Sequence, residues 1–154
     1  MPDGLYEHDI LTWAEQQAAL LRRLANGERV NAAVDWPHVI EELQDVGLSE
    51  LRACESLLRQ ALLHLLKLHL WPDGAVTHWR SEAVGFLADA QARFTPSMRK
   101  KISLDRPYQK AVAQVRAGAP ENQPPGALPG ACPFTLSELL ADDVELGGLV
   151  AKLR

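Results

Sequence analysis

Residues 57–71 read LLRQALLHLLKLHLW, eight leucines in fifteen positions. At about 100° per residue these leucines cover most of a helix circumference, while Gln60, His64, Lys67 and Trp71 fall within one narrow arc. A helix apolar nearly all round is a central one, and its polar arc needs water or partners. The expected class is therefore all-α. The run is interrupted by Arg59, His64 and Lys67, well short of the roughly 18–20 apolar residues that a membrane span requires.

The same periodicity continues on both sides of the run. In YEHDILTWAEQQAALLRRLANG, Ile10, Trp13, Ala14, Leu20, Leu21 and Leu24 recur at steps of three and four, and Gly27 stands where a left-handed C-terminal cap belongs. In DWPHVIEELQDVG, Asp35 suits an N-cap and Pro37 the first turn. Trp36, Val39, Ile40, Leu43 and Val46 form the apolar stripe, and Gly47 allows a break. The spacing predicts long helices over residues 6–26, 36–46, 49–70 and 78–94, the third stopped by Trp71-Pro72-Asp73-Gly74. Thr95-Pro96-Ser97 restarts a fifth helical stretch, split or kinked at Asp105-Arg106-Pro107 and ending near Gly118. Residues 118–133 hold five prolines and three glycines, a loop that is pinned rather than regular. Thr135-Leu136-Ser137-Glu138 has the T-x-x-E form of a capping box, so a short helix is expected to about Val144. The closing LGGLVAKLR leaves docking and fraying open. No period-2 alternation predicts a strand. The expectation is one helical domain over 1–154, a bundle of four to five longer helices plus a short C-terminal helix.

The 154 residues carry 23% charged side chains and a net charge of −4, which argues against a general binder of nucleic acid or anionic membranes. The charge is uneven: Arg93 to Arg116 holds seven basic residues against Asp105 alone. No aromatic interleaving accompanies that stretch, so nucleic acid stays a weak alternative, and a solvated helix face or the acidic half of a second copy fits it better. Cys54 and Cys132 form neither a disulfide framework nor a CxxC, and free thiols are expected for both. The N-terminal MPDGLYEHD lacks the pattern of a signal peptide, so a cytoplasmic location is expected.

The polar arc at His64 and Lys67 calls for acids. Asp9 on the first helix and Glu41, Glu42 and Asp45 on the second are the candidates, with Glu42 nearest the apolar stripe and expected to approach Lys67 or His64. A buried ammonium needs such a partner, since an unpaired buried charge is costly. The bland reading is a polar seam that fixes helix register. The sharper one is a metal or acid–base site, with Asp9, Glu42 and His64 as metal candidates. Its spacing is weak: neither E-x-x-H nor H-E-x-x-H occurs, and no motif names a cofactor.

The strings LYEHDILTW, DWPHVIEELQDVG, LLHLLKLHLWP and CPFTLSELL resemble, in order and along almost the whole chain, the bacterial family called domain of unknown function 29. Tyr6, Glu7, Asp9 and Trp13 meet its opening motif. Asp35, Ile40, Glu41, Glu42, Asp45 and Gly47 meet the second block. His64, Lys67 and Trp79 meet the third, and Cys132, Pro133, Thr135 and Leu136 the last. Gln44, Leu68 and His78 depart from the pattern. The resemblance implies a helical domain and no established activity, and it places all six candidate residues (Asp9, Glu41, Glu42, Asp45, His64, Lys67) on motif positions. The function expected is a helical module that binds a protein partner, itself included. The alternative is an enzyme with a carboxylate–histidine site between helices.

Overall fold

A computed structural model describes residues 4–154; residues 1–3, part of the N-terminal segment read above for a signal, lie outside the described residues. The protein is all-α, with no strand among the described residues. Among the described residues seven α-helices follow in order: α1 Leu5–His8, α2 Ile10–Ala25, α3 Trp36–Leu70, α4 Val76–Arg93, α5 Asp105–Ala117, α6 Leu136–Leu139 and α7 Leu146–Ala151. The chain divides into two compact units, Met1–Ser49 and Glu50–Arg154, and α3 contributes a segment to each.

In the first unit, the helix expected over 6–26 is two. Asp9, at φ −149° and ψ 77°, ends α1 and caps α2, accepting from the backbone N–H of Thr12 at 3.0 Å and from its hydroxyl at 2.7 Å. At the other end of α2, Gly27 takes φ +90°, Gly27 N–H donates to Leu24 O and Glu28 N–H to Arg23 O. That is the paired C-terminal bonding in which glycine carries the left-handed residue without strain. A small core of Trp13, Val34 and Val39 closes the unit, with Leu5, Tyr6, Leu20 and Leu21 packed against it.

The expected break at Gly47 is absent. Gly47 sits inside α3 without a positive φ. A single glycine weakens a helix by about 1 kcal/mol, too little to end one that tertiary packing sustains on the far side.

The second unit holds the main core. Leu58, Ala61, Leu62, Leu65 and Leu66 of the quoted run are fully buried, together with Ala83 and Ala90 of α4 and Tyr108 and Ala111 of α5. Between α4 and α5, Pro96–Lys100 forms a 3-10 helix, and α5 begins at Asp105. The expected kink at Asp105–Pro107 is thus a helix start, because proline lacks only an N–H that the first turn leaves unbonded anyway.

The proline-rich loop is pinned as expected. Tyr108 donates its hydroxyl to Pro129 O at 2.6 Å, Gln109 its amide to Gly130 O at 2.7 Å, and Trp71 its indole N–H to Gln123 O at 3.2 Å. Thr135 and Glu138 complete the capping box. That helix ends at Leu139 rather than near Val144, and the closing residues form α7, docked through Leu146, Leu149 and Leu153. Lys152 pairs with Glu138.

Both cysteines are free. Cys54 is fully buried, and burial pushes both thiols above their ordinary pKa. A thiol reagent should therefore titrate two groups per chain after denaturation without reductant, and Cys54 should not react in the native state.

Candidate functional site

The polar residues of the first unit assemble around Asp35, the residue just before α3. Its carboxylate is 4% exposed and accepts through one oxygen from two donors: the indole N–H of Trp13 at 3.0 Å and Nδ1 of His38 at 2.7 Å. The Asp35 backbone N–H donates to the buried side-chain oxygen of Gln17 at 2.8 Å. The local cause is helical spacing: Trp13 and Gln17 are four apart on α2, and Asp35 and His38 three apart, so each pair projects from one face. The His38 ring stacks on Tyr6 with centroids 3.8 Å apart, and Tyr6 meets Trp13 edge to face at 4.9 Å. The Tyr6 hydroxyl donates to Glu42 Oε1 at 2.5 Å. One connected set therefore ties α1 and α2 to the start of α3.

Its electrostatics follow from those bonds. Burial pushes the Asp35 carboxyl up, but the bonds from His38 and Trp13 more than offset this and leave it below the ordinary range. The bond to Asp35 raises His38 above its usual value, against a smaller lowering by burial. Tyr6 is pushed up to about 12, chiefly because its hydroxyl donates to Glu42, with Glu41 and Asp45 adding negative field.

The residues expected to converge are each engaged elsewhere. Asp9 is held on Thr12 and Glu42 on Tyr6. Glu41 and Asp45 are exposed on α3. His64 is buried and donates from Nδ1 to Gln60 O, one turn back, at 2.7 Å, with its ring 5.3 Å from that of Phe86. Burial lowers its pKa, helped by Lys67, and keeps the ring neutral. The bond fixes the tautomer that leaves Nε2 as an acceptor.

Lys67 is half-buried and makes no ion pair among the described residues. The expected pairing of Glu42 with Lys67 or His64 is absent for a simple reason. It assumed two helices facing each other, whereas these residues lie on one uninterrupted helix. Along a helix only residues three or four apart are neighbours. Among the described residues no group of three or more His, Cys, Asp and Glu side chains is arranged to hold a metal ion.

Lys67→Met should accordingly change stability by less than about 1 kcal/mol in urea melts, as for an exposed or unpaired charge. A loss near the 3–5 kcal/mol of a broken buried pair would reveal a hidden acid.

The family model described as "Domain of unknown function DUF29" matches residues 5–144. The chain belongs to this family. It is also similar to a solved structure, an α-helical protein of unknown function from Rhodospirillum rubrum, at 32% identity and a TM-score of 0.74, covering 96% of each chain. No curated protein matches it. Four of the residues met in the DUF29 motifs above, Tyr6, Trp13, Asp35 and Glu42, belong to the polar set of the first unit. In the sequence alone Asp35 has the form of an N-cap and Trp13 is one of the periodic apolar residues of its helix. The Asp35–His38 spacing of three was the available signal for their pairing.

The apolar stripe of α3 consists of Trp36, Val39, Ile40, Leu43 and Val46. Of its five members only Val39 is buried; Trp36, Ile40, Leu43 and Val46 are 40%, 52%, 69% and 65% exposed. Ile10 and Leu11 at the start of α2 are exposed as well.

Proposed function

We propose that the protein is a non-enzymatic interaction module, and that the apolar stripe of α3 receives an amphipathic helix of a basic partner protein. The exposed stripe carries this reading. Trp36, Ile40, Leu43 and Val46 recur at four, three and three residues, the spacing of helix-in-groove anchors. Large apolar side chains clustered on one exposed face mark an interface more often than a free surface. A tryptophan among them is the usual kind of anchor.

The partner's charge follows from what surrounds the stripe. Residues 1–49 contain nine Asp and Glu against three arginines, and Glu41, Glu42 and Asp45 share the helix with the apolar residues. Pairing this face with its own copy would bring like charges together, which disfavours that occupant. A helix whose apolar stripe is bordered by Lys and Arg meets both requirements.

The test uses the full-length protein and labelled 18-residue amphipathic peptides, read by fluorescence anisotropy. A Leu/Lys peptide should bind, with Leu43→Asp weakening it at least about tenfold. A Leu/Glu peptide of the same pattern should not bind. Equal binding of both peptides, or indifference to Leu43→Asp, overturns the reading. So does sedimentation as a dimer that Leu43→Asp dissociates, because the face then belongs to a second copy.

A further inference from the structure

The second unit carries a feature that the interaction reading does not use. A pocket of about 590 Å³ opens between α3 and the start of α5. Five cations line it: Arg52, Arg59, Lys101, Arg106 and Lys110. Glu55 is the one carboxylate in its wall, and Ser56 and Ser103 add hydroxyls. None of the five cations makes an ion pair among the described residues. We propose that this pocket binds a small multivalent phosphate, a ligand with two linked phosphoryl groups.

The placement is built into the sequence. Arg52, Glu55, Ser56 and Arg59 recur at three, four and seven residues, so they share one face of α3. Arg106 and Lys110 are four apart on α5, with Lys101 and Ser103 in the connection that leads into it. Two like charges four apart weaken a helix, and five converging cations raise the local potential further. An anionic ligand turns that cost into attraction. Buried Pro107 and Tyr108 begin the packed part of α5, so the cationic face stands on a rigid base.

Ligand class follows from the lining. Arginine presents a planar fork that matches phosphate oxygens two at a time, lysine supplies a point charge, and Ser56 has a hydroxyl proton to donate, while Ser103 donates its own to Asp105 at 3.4 Å. Five cations against one carboxylate leave a net charge of +4, more than a carboxylate or a single phosphate neutralises and equal in magnitude, opposite in sign, to that of fully ionised inorganic diphosphate. The volume falls in the range of small-molecule sites. No aromatic side chain lines the pocket, so nothing stacks a base. Recognition rests on the phosphoryl groups themselves rather than on a nucleic-acid strand.

The experiment is isothermal titration of the full-length protein with inorganic pyrophosphate, orthophosphate, ADP and a twelve-nucleotide single-stranded DNA. Pyrophosphate should bind at one site per chain, at least about tenfold more tightly than orthophosphate, and weaken as salt rises. Arg106→Gln and Lys110→Gln, both exposed positions, should each weaken it about tenfold or more with helical circular dichroism unchanged. Arg80→Gln, an exposed cation of α4 outside the pocket, should leave binding as it is. ADP binding as tightly as pyrophosphate assigns the site to a diphosphate ester, and ADP binding more weakly assigns it to the inorganic ion; either supports the proposal. No pyrophosphate binding at millimolar concentration overturns it. Equal loss in Arg80→Gln, or tighter binding of the DNA, does so too. These outcomes are independent of the peptide assay, whose variant lies on a different unit.

Discussion

Leu62→Ala is expected to destabilise the protein by about 3 kcal/mol, whereas Leu43→Ala should cost less than about 0.5 kcal/mol. Both leucines belong to the same helix. Leu62 has no exposed surface and lies in the main core, while Leu43 is 69% exposed. Removing the first deletes buried methyl groups and leaves a cavity among close-packed neighbours; removing the second exposes nothing that water does not already reach. Urea melts of the two variants at fixed protein concentration make the comparison. A Leu43→Ala loss equal to that of Leu62→Ala would show the α3 stripe buried in the native state. The interaction face would then be occupied intramolecularly.

Asp35→Ala should have the next largest effect, on the order of 3 kcal/mol, confined to the first unit. It removes the acceptor of two bonds to an ionised group and strands the indole N–H of buried Trp13. Asp35→Asn keeps an acceptor and should lose less. With so few buried apolar side chains in that unit, polar bonds carry a larger share of its stability than in the second.

The pair also gives the unit a pH dependence. The folded His38 pKa lies above the ordinary 6.5, so its stabilisation is complete below pH 6.5 and is lost as pH rises through the folded value. The folded Asp35 pKa lies below the ordinary 3.8, so its part is present above pH 3.8 and lost as pH falls through the folded value. The pair therefore stabilises most between those two ordinary values. His64 runs the other way: its folded pKa is below 6.5, so stability in the second unit is lost as pH falls below that value. Melts at about pH 5.5 and about pH 8.5 should show a larger gap between wild type and Asp35→Asn at the lower pH. A gap independent of pH would mean that His38 is not bonded to the carboxylate.

Local chemistry was legible without the fold. The left-handed cap at Gly27, the capping box at Thr135 and Glu138, the stop at Trp71–Gly74 and the leucine-rich core of α3 all follow from residues within one or two turns of each other. Helix boundaries failed where two signals competed. Asp9 reads equally as a helix interior acid and as a cap, and Gly47 permits a break without imposing one.

The candidate residues depend on more than local signals. Periodicity fixes which residues share a face, and it did so correctly for the α3 stripe and for the arc at His64 and Lys67. Which face then meets the rest of the chain depends on what is packed against it. Val39 alone of the stripe is covered, and the acids expected beside Lys67 went instead to Tyr6 and Thr12 or stayed in water. The sequence determined an all-α chain and the faces of its helices, because helix geometry is set within a few residues. Only the tertiary structure decided which faces are buried and which charges pair, because burial and pairing are relations between segments far apart in sequence.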